Sequence, residues 1–486
     1  HDHKFDPISL RDYYAMAGIF SSTESVTRAE WGVWSWPTVA RLPETPAGRA
    51  ERQGRLERHR QAIAKLKAER EQAGRRLAEI RAMLQGQGPG RAPIEPTARA
   101  GLERERRELA ARVGRLGTEI EHGEFFAPNP PVAFAVHDSA RPGNMRVTIR
   151  GNPHALGVEV PRGFVQVVSR GRSGPAVISS QESGRRELAD WIASGENPLT
   201  ARVAVNRIWQ KLFGEGIVRS VDYFGRRGER PSHPELLDAL ALRFVADGWS
   251  TKRLIRGLVL SRAYAMSSAH DRRAAAIDPD NRLLWRMNRR RLDAESLRDA
   301  MLAVSGGLIV GGGGPGLPLE YPENTGGLGK GGVNPPSFRL ARFRPEQEFV
   351  RTVYLPIIRS GPQAGPGELR NVFDFTQPGE FAGQRAVTTV PTQALFLMNA
   401  RFLKARAVEL ARPTLAGAGD DRARLGRLWI RVLNRPITPA EQDAAAAFLA
   451  EVRDLDPTIA PAARGLRAWA ELCHALLASN EFLLRL

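Results

Sequence analysis

The sequence of 486 residues exceeds the roughly 250 to 300 residues that one hydrophobic core organises, so we expect several structural units. Hydrophobic residues make up 42% of it, yet no run approaches the roughly 18 apolar residues of a membrane span. The formal charge of +18 comes mostly from arginines scattered along the chain, so we do not expect a nucleic-acid partner. An acidic polysaccharide is a candidate partner, because the positive field would attract it.

Cys473 is the single cysteine of the chain. One thiol excludes internal disulfides, cysteine-rich zinc sites and a haem attached by two thioether bonds from this chain alone. It lies in "AELCHALLASNEFLL", on the apolar face of a predicted helix. We therefore interpret it as a small buried side chain.

Residues 1–45 read as a short helix followed by the tryptophan-rich stretch "WGVWSWP". Residues 46–124 differ, because their apolar positions recur in steps of seven, three and four and so form a seam along a helix. The Gly/Pro-rich stretch "QGQGPGRAPIEPTA" interrupts this pattern. The sequence therefore predicts an antiparallel, coiled-coil-like helical hairpin with a charged, solvated surface.

Residues 125–182 change to a two-residue period. The runs "PPVAFAVHD", "MRVTIRG" and "GFVQVVS" are rich in β-branched or aromatic residues and are bounded by Gly, Pro or Asn. They predict the strands of a small β unit. His137 and His154 fall at strand ends, where a turn or cap is the expected role.

Helical patterns dominate from residue 183, with a helical domain predicted over 183–455 and a helical tail over 456–486. Within the domain, "FVRTVYLPIIRSG" reads as a strand. The glycine-rich stretch near 311–337 lacks the spacing and the terminal Gly-Lys-Ser/Thr of a phosphate-binding loop, so we interpret it as a surface loop. The predicted fold class is mainly α: a multi-helical domain with a small β unit and an inserted antiparallel hairpin.

Polar side chains cluster at two places in the predicted helical domain. The candidates for an anion or substrate pocket are Arg202, Asn206, Arg207, Arg385, Gln393 and Asn399. Forked guanidinium donors would suit an anion or a carbohydrate. The alternative, which we favour, is a buried polar network that locks helices together. No Gly-x-Ser-x-Gly elbow or other nucleophile triad stands out.

The chain begins "HDHKFDP", with no methionine, so we expect it to start inside a longer reading frame. His1, Asp2, His3 and Asp6 are residue types that bind divalent metals. Residues two apart face each other on neither a helix nor a twisted strand end unless a loop gathers them, which weakens a metal site built here alone. The sequence leaves this alternative open.

Several long stretches resemble one family. "GRRELADWIASGENPLTARVAVNRIWQKLFGEGIV", "SVDYFGRRGERPSHPELLDALALRF", "NRRRLDAESLRDAML", "RTVYLPIIRS", "FDF" and "TTVPTQALFLMN" occur in the order of a helical domain abundant in planctomycetes, domain of unknown function 1553. The opening "HDHKFDPISLRDYYAMAGIFSST" resembles the end of its usual companion, the cytochrome-C-like domain of unknown function 1549. The hairpin resembles a variable insertion between them.

In such proteins Cys-x-x-Cys commonly precedes the opening residues, so the resemblance implies that His1 is the axial iron ligand of a haem c. His3 and Asp6 would then shape its polar surroundings. The attachment cysteines are not in this sequence. The resemblance further implies a periplasmic or secreted parent protein, because c-type haem is attached outside the cytoplasm.

The family has no assigned biochemical activity, so whether the chain is an enzyme is left open. The leading hypothesis is redox or electron transfer with a redox partner protein. The first alternative is a non-enzymatic surface protein that binds acidic polysaccharide. The second is a metal-dependent hydrolase with its ion near His1 and His3.

Overall fold

The computed structural model describes most of the chain as an arrangement of helices and short ribbons. The described residues are 2–28, 35–85, 95–125, 128, 130–169, 177–311, 313, 316, 348–357, 363, 365–380, 382–455 and 458–485. They form fifteen α-helices and only two-stranded sheets, which confirms the mainly α fold. Within these residues, no helix combines the length and the apolar character that crossing a bilayer requires.

The N-terminal unit consists of helix α1 (Leu10–Ser21) and small antiparallel ribbons. Ser9 and Asp12 begin α1 with a reciprocal capping box. The strands are β1 (Thr23–Glu24), β2 (Val26–Arg28), β3 (Ser35–Pro37), β4 (Val39–Arg41), β5 (Val132–Phe134), β6 (His137–Asp138), β7 (Met145–Thr148) and β8 (Leu156–Val160). They pair as β1 with β6, β2 with β3, β4 with β5, and β7 with β8. Strands from before and after the hairpin therefore share ribbons.

One of the three predicted strand runs is wrong. "GFVQVVS" contains a 3-10 turn at Gln166–Val168 rather than a strand. Val168 and its neighbour Phe164 instead pack against a small apolar cluster around Ile19 and Trp191. Hydrophobic burial, not ladder pairing, therefore accounts for the apolar character of this run.

The hairpin consists of helix α2 (Pro46–Leu84) and helix α3 (Pro96–Phe125). The ion pairs Lys67 with Glu124, at 2.6 Å, and Arg76 with Glu105, at 2.9 Å, show that the helices run antiparallel. The buried seam consists of Ala73, Leu77, Ile80, Leu116 and Ile120. The predicted hairpin is therefore confirmed.

The first half of the helical domain has its own apolar core. Its helices are α4 (Arg185–Ala193), α5 (Thr200–Phe213), α6 (Pro234–Ala246), α7 (Thr251–Val259) and α8 (Arg272–Ile277). Trp209 stacks on Phe213 with ring centroids 4.0 Å apart, and both rings belong to a cluster with Leu237, Phe244 and Leu254. This core fixes α5 against α6 and α7.

The second half is a larger bundle. Its elements are β9 (Arg290–Arg291), α9 (Ala294–Val304), α10 (Pro391–Asn399), α11 (Arg401–Ala416), α12 (Asp421–Leu433), α13 (Pro439–Asp454), α14 (Pro461–Leu477), α15 (Asn480–Leu483) and β10 (Leu484–Arg485). Trp469 is fully buried at its centre. Strand β10 pairs antiparallel with β9, so the end of the described chain returns to the start of this half.

Two further expectations have clear outcomes in this half. Cys473 is fully buried, and burial raises the pKa of its thiol to about 12, so the structural interpretation is confirmed. Over its described residues, 349–357, the strand predicted in "FVRTVYLPIIRSG" is wrong: Val350 makes one isolated bridge with Ile309, and a 3-10 turn follows at Thr352–Tyr354. The remainder of this run lies outside the described residues.

Candidate functional site

The N-terminal segment, residues 2–9, is a closed loop held by its own polar groups. Asp2 accepts a hydrogen bond from the Leu10 amide at 2.7 Å, and the His3 amide donates to the Ile8 carbonyl at 2.9 Å. Nδ1 of His3 accepts the Asp6 amide at 2.9 Å. Because this nitrogen accepts an N–H, it carries no proton in this arrangement. His1 lies outside the described residues.

Asp6 connects this segment to the central loop, residues 219–233, between α5 and α6. Its Oδ1 accepts the backbone N–H of Arg226 at 2.7 Å. A Cβ built on Gly225 would lie only 2.1 Å from the same oxygen. The contact therefore requires glycine at this position, since any side chain would displace the carboxylate.

A second bridge of the same kind continues from the central loop. Oδ2 of Asp222 accepts the backbone N–H of Gly383 at 2.9 Å, and a Cβ on Gly383 would lie 2.1 Å from its Oδ1. Residues 382–390 form the distal loop, which leads into α10. The N-terminal segment, the central loop and the distal loop are thus joined in series by two carboxylates.

The α5 candidates do not form a pocket with one another. Nε of Arg202 donates to Asp238 at 2.6 Å in a half-exposed ion pair, and this hydrogen bond lowers the pKa of Asp238. Asn206 is fully buried, and its amide exchanges two hydrogen bonds with the Val218 backbone, at 2.8 and 2.9 Å. Arg207 is exposed and bonds to no described residue, so it takes part in neither a pocket nor a buried network among these residues.

The candidates near α10 lie in the second half of the domain and have different partners. Arg385 pairs with both carboxylate oxygens of Glu295, at 2.6 and 2.8 Å, and these hydrogen bonds raise its pKa. Gln393 is buried and donates to the Thr388 hydroxyl at 3.2 Å. Asn399 is exposed and donates to the Leu395 carbonyl at 3.0 Å. The three side chains therefore have separate partners, and the exposed Asn399 bonds to a residue of its own helix.

The structure adds a carboxylate that the sequence analysis did not single out. Asp374 accepts hydrogen bonds from the Thr388 amide at 2.9 Å, the Thr388 hydroxyl at 2.8 Å and Nη2 of Arg291 at 2.5 Å. Burial alone would raise the pKa of Asp374, but these hydrogen bonds outweigh burial and hold it below its usual value. The stretches "FDF" and "TTVPTQ", which contain Asp374 and Thr388, were noted in the sequence. Their contact with each other was not predicted.

Arg298 is the most deeply buried arginine among the described residues of the domain, with 1% of its surface exposed. It donates to the Val350 carbonyl at 2.9 Å and to the Thr352 hydroxyl at 3.1 Å. Burial lowers its pKa to about 10, still far above neutral, so the group stays charged. Its role is to hold α9 against the segment around Thr352.

A shallow cleft lies between the end of α5 and the segment 281–288. Its volume is about 350 Å³, including the part that is open to solvent. Ser232 and His233 line it, with Oγ 3.0 Å from Nδ1. These are sequence neighbours at the start of α6, and no carboxylate of the described residues bonds to His233. The pair therefore lacks the third group of a hydrolytic triad.

The described residues also contain no group of three His, Cys, Asp or Glu side chains that could hold a metal ion. The carboxylate of Asp6 and Nδ1 of His3 are instead engaged by backbone amides. The site is therefore a rigid connection between the N-terminal segment, the central loop and the distal loop. His1 directly precedes the first residue of the N-terminal segment.

We predict that Gly383→Ala lowers the free energy of unfolding by about 1 to 3 kcal/mol, because the new methyl group must displace Asp222 and leave its hydrogen bond unmade. Urea unfolding checks this. Gly379→Ala is the matched control, since a Cβ there meets nothing within 4 Å, and it should change the value by less than ~0.5 kcal/mol. Equal effects of the two substitutions would contradict the bridge.

We also predict that Asp374 makes stability depend on pH. A carboxyl whose pKa is lower in the folded chain contributes stability that is fully present above the unfolded value, near 3.8, and that is lost as pH falls through the folded value. Asp374→Asn should therefore be less stable at neutral pH and should lose less on acidification, as measured by urea unfolding across the acid range. Asn at the exposed Asp443 should leave the pH profile unchanged. Identical profiles for wild type and Asp374→Asn would refute the assignment.

Comparison with known proteins gives one family. The family model of PSD1, described as a protein of unknown function (DUF1553), matches residues 184–449. This span covers more than half of the chain and includes α5, the central loop, the distal loop and the buried arginine contacts. No curated protein and no solved structure matches. The chain therefore belongs to the PSD1 family of proteins of unknown function (DUF1553).

Proposed function

We propose that this chain is part of an extracytoplasmic, c-type-haem-linked protein that works in redox or electron transfer. In this proposal the haem-bearing part is attached to the PSD1 domain. The proposal starts from the resemblance of residues 1–23 to the end of a planctomycete cytochrome-C-like domain. His1 would be the axial ligand, and the attachment cysteines would precede it in the parent protein. Because c-type haem is attached outside the cytoplasm, the parent protein would be exported.

The observation that carries the proposal is the bond between Asp6 and the Arg226 amide, which fixes the segment directly after His1 to the PSD1 domain. Electron transfer needs a fixed distance between a redox group and its partner, and a frayed terminus would not provide one. The closed loop of residues 2–9 and the requirement for Gly225 supply that rigidity.

The donor set of the segment fits a supporting role for His3 and Asp6. Nδ1 of His3, Oδ1 of Asp2 and Oδ1 of Asp6 accept the backbone amides of Asp6, Leu10 and Arg226 respectively, and these hydrogen bonds orient the three side chains. A bound haem would supply reversible one-electron exchange at its iron. The chain's own residues would orient the segment that follows the axial ligand. No contact of the described residues favours the metal-dependent hydrolase.

The test is to express the gene extended upstream of His1 together with haem maturation machinery. We expect covalently bound haem with a Soret band, and Asp6→Ala should retain the haem but alter its midpoint potential or ligand affinity, by about 10- to 100-fold for the latter. Asp443→Asn, far along the chain, is the control. Absence of covalent haem, or an upstream frame without Cys-x-x-Cys directly before His1, would reject the proposal and favour the acidic-polysaccharide alternative.

A further inference from the structure

We propose that the turn after α9, residues 305–308, carries a binding site for a small oxyanion, a carboxylate or a phosphate, between Arg406 and Arg431. We name it the turn site. Arg406 lies on α11 and Arg431 on α12, so the site joins three helices of the PSD1 domain. Both arginines bring a guanidinium to this turn with hydrogen-bond donors that no described residue accepts.

Arg406 is an exception among the buried arginines. Four arginines of the described residues have less than a tenth of their surface exposed: Arg162, Arg298, Arg370 and Arg406. The first three donate hydrogen bonds to backbone carbonyls. Arg406 is 8% exposed, donates to no described residue, and has a buried Nε without a partner. Burying a guanidinium with its donors unpaired is costly, so the fold calls for an acceptor that the described residues do not supply.

Two aromatic rings hold Arg406 without supplying that acceptor. Its Cζ lies 4.9 Å from the ring centroid of Phe349 and 5.8 Å from that of Phe402. These contacts attract the charge through the ring faces, but they provide no oxygen to accept an N–H. Arg298 fixes the segment that carries Phe349, because it donates to the Val350 carbonyl at 2.9 Å. The guanidinium of Arg406 is therefore positioned while its donors stay available.

The glycines of the turn bring the two guanidiniums to one place. A Cβ built on Gly307 would lie 2.8 Å from Nη1 of Arg406, and one built on Gly306 would lie 3.5 Å from Nη2 of Arg431. Nε of Arg431 donates to the Val304 carbonyl at 2.6 Å, whereas its Nη groups donate to no described residue. An exposed and a buried guanidinium thus lie against consecutive residues of the turn.

The carbonyls that end α9 do not satisfy these donors. Those of Met301, Leu302 and Ala303 accept the backbone amides of residues 305–308, and none of them accepts from either guanidinium. An oxyanion has several lone pairs and is able to accept from both arginines at once. Because so little of Arg406 is exposed, a flat protein surface cannot reach it, whereas a small free anion can.

Net charge does not select this ligand, since carboxylates also lie nearby. Burial lowers the pKa of Arg406, and the charges of Glu409 and Glu348 oppose this effect. Neither carboxylate forms an ion pair with Arg406, and Glu409 pairs with Arg412 at 3.8 Å instead. The selection comes from unpaired donors in a planar fork, which matches two oxygens of a carboxylate or a phosphate.

The experiment follows thermal unfolding of the full chain by circular dichroism while inorganic phosphate or acetate replaces chloride at constant ionic strength. An anion that binds only the folded chain raises Tm with its concentration, which gives an apparent Kd. Arg406→Met should raise this Kd at least ~10-fold, because it removes the buried fork. Without added anion, Arg406→Met should be at least as stable as wild type, since it removes a buried charge that lacks an acceptor.

Two matched controls separate the turn site from general effects. Arg207→Met removes an exposed arginine that also bonds to no described residue, and it should change the apparent Kd by less than about twofold. Gly307→Ala keeps every charge but places a methyl group 2.8 Å from Nη1 of Arg406, so it should also weaken binding. Gly311→Ala should not, because a Cβ there meets nothing nearer than 3.6 Å.

A lower Kd for phosphate than for acetate assigns the site to phosphate groups, and the reverse assigns it to carboxylates; both results support an oxyanion site. Equal anion effects in wild type, Arg406→Met and Arg207→Met would overturn the proposal, because the anion would then act only through the overall positive charge. A loss of stability in Arg406→Met without any anion effect in wild type would also overturn it, since the chain itself would supply the acceptor. Haem plays no part in this test, so its outcome is independent of the proposed function.

Discussion

The arrangement of the candidate site depends on one kind of interaction, an aspartate that accepts the backbone N–H of a distant turn. Asp6 and Arg226 are 220 residues apart, and Asp222 and Gly383 are 161 apart. Each contact needs glycine beside the carboxylate, since a Cβ would occupy the position of its oxygen. Hydrogen bonds to a charged acceptor contribute about 1.5 to 3 kcal/mol, enough to fix loops that make few apolar contacts.

A second constraint acts within the PSD1 domain, where charge is buried in pairs. Burial lowers the pKa of Arg298 to about 10, which is still far above neutral, so the group keeps its proton, and backbone carbonyls and the Thr352 hydroxyl accept hydrogen bonds from it. Asp374 keeps its charge because Thr388 and Arg291 donate to it. Removing one member of such a set leaves an uncompensated charge, which costs more than the contact itself contributes. Of the residues that resemble a binding pocket in the sequence, Arg385 pairs with Glu295 of α9 and Asn206 bonds to the Val218 backbone, so both connect separate segments of the domain.

The sequence predicted the parts of this structure that depend on local periodicity. The hairpin of α2 and α3 follows from its apolar seam, and the helices of the domain follow from their caps and amphipathic spacing. The ribbons were predicted less well, because β4 pairs with β5 across the whole hairpin and such pairing leaves no local signal. The run "GFVQVVS" has strand-like composition but is buried as a turn.

The candidate site was predicted only in part, for the same reason. Residue types alone identified His3 and Asp6 as able to bind a metal, and Arg202 and Arg385 as able to bind an anion. They did not identify the partners of these side chains. In the sequence Asp6 resembles a metal ligand, whereas in the structure it accepts a hydrogen bond from the Arg226 amide. In the sequence Arg202 resembles an anion-binding residue, whereas in the structure it donates a hydrogen bond to Asp238. The position of the central loop depends on the contact of Asp6 with Arg226, which are 220 residues apart in sequence.

The central claim is that Asp6 fixes the N-terminal segment to the PSD1 domain, and hydrogen exchange at the Arg226 amide tests it most directly. In the wild-type chain this amide should be protected, and Asp6→Ala should accelerate its exchange about tenfold or more, as expected for loss of roughly 1.4 kcal/mol. Asp6→Asn should restore part of the protection, since its carbonyl can still accept, and the Gly383 amide should be unaffected in both variants. Unchanged exchange at Arg226 in Asp6→Ala would contradict the account.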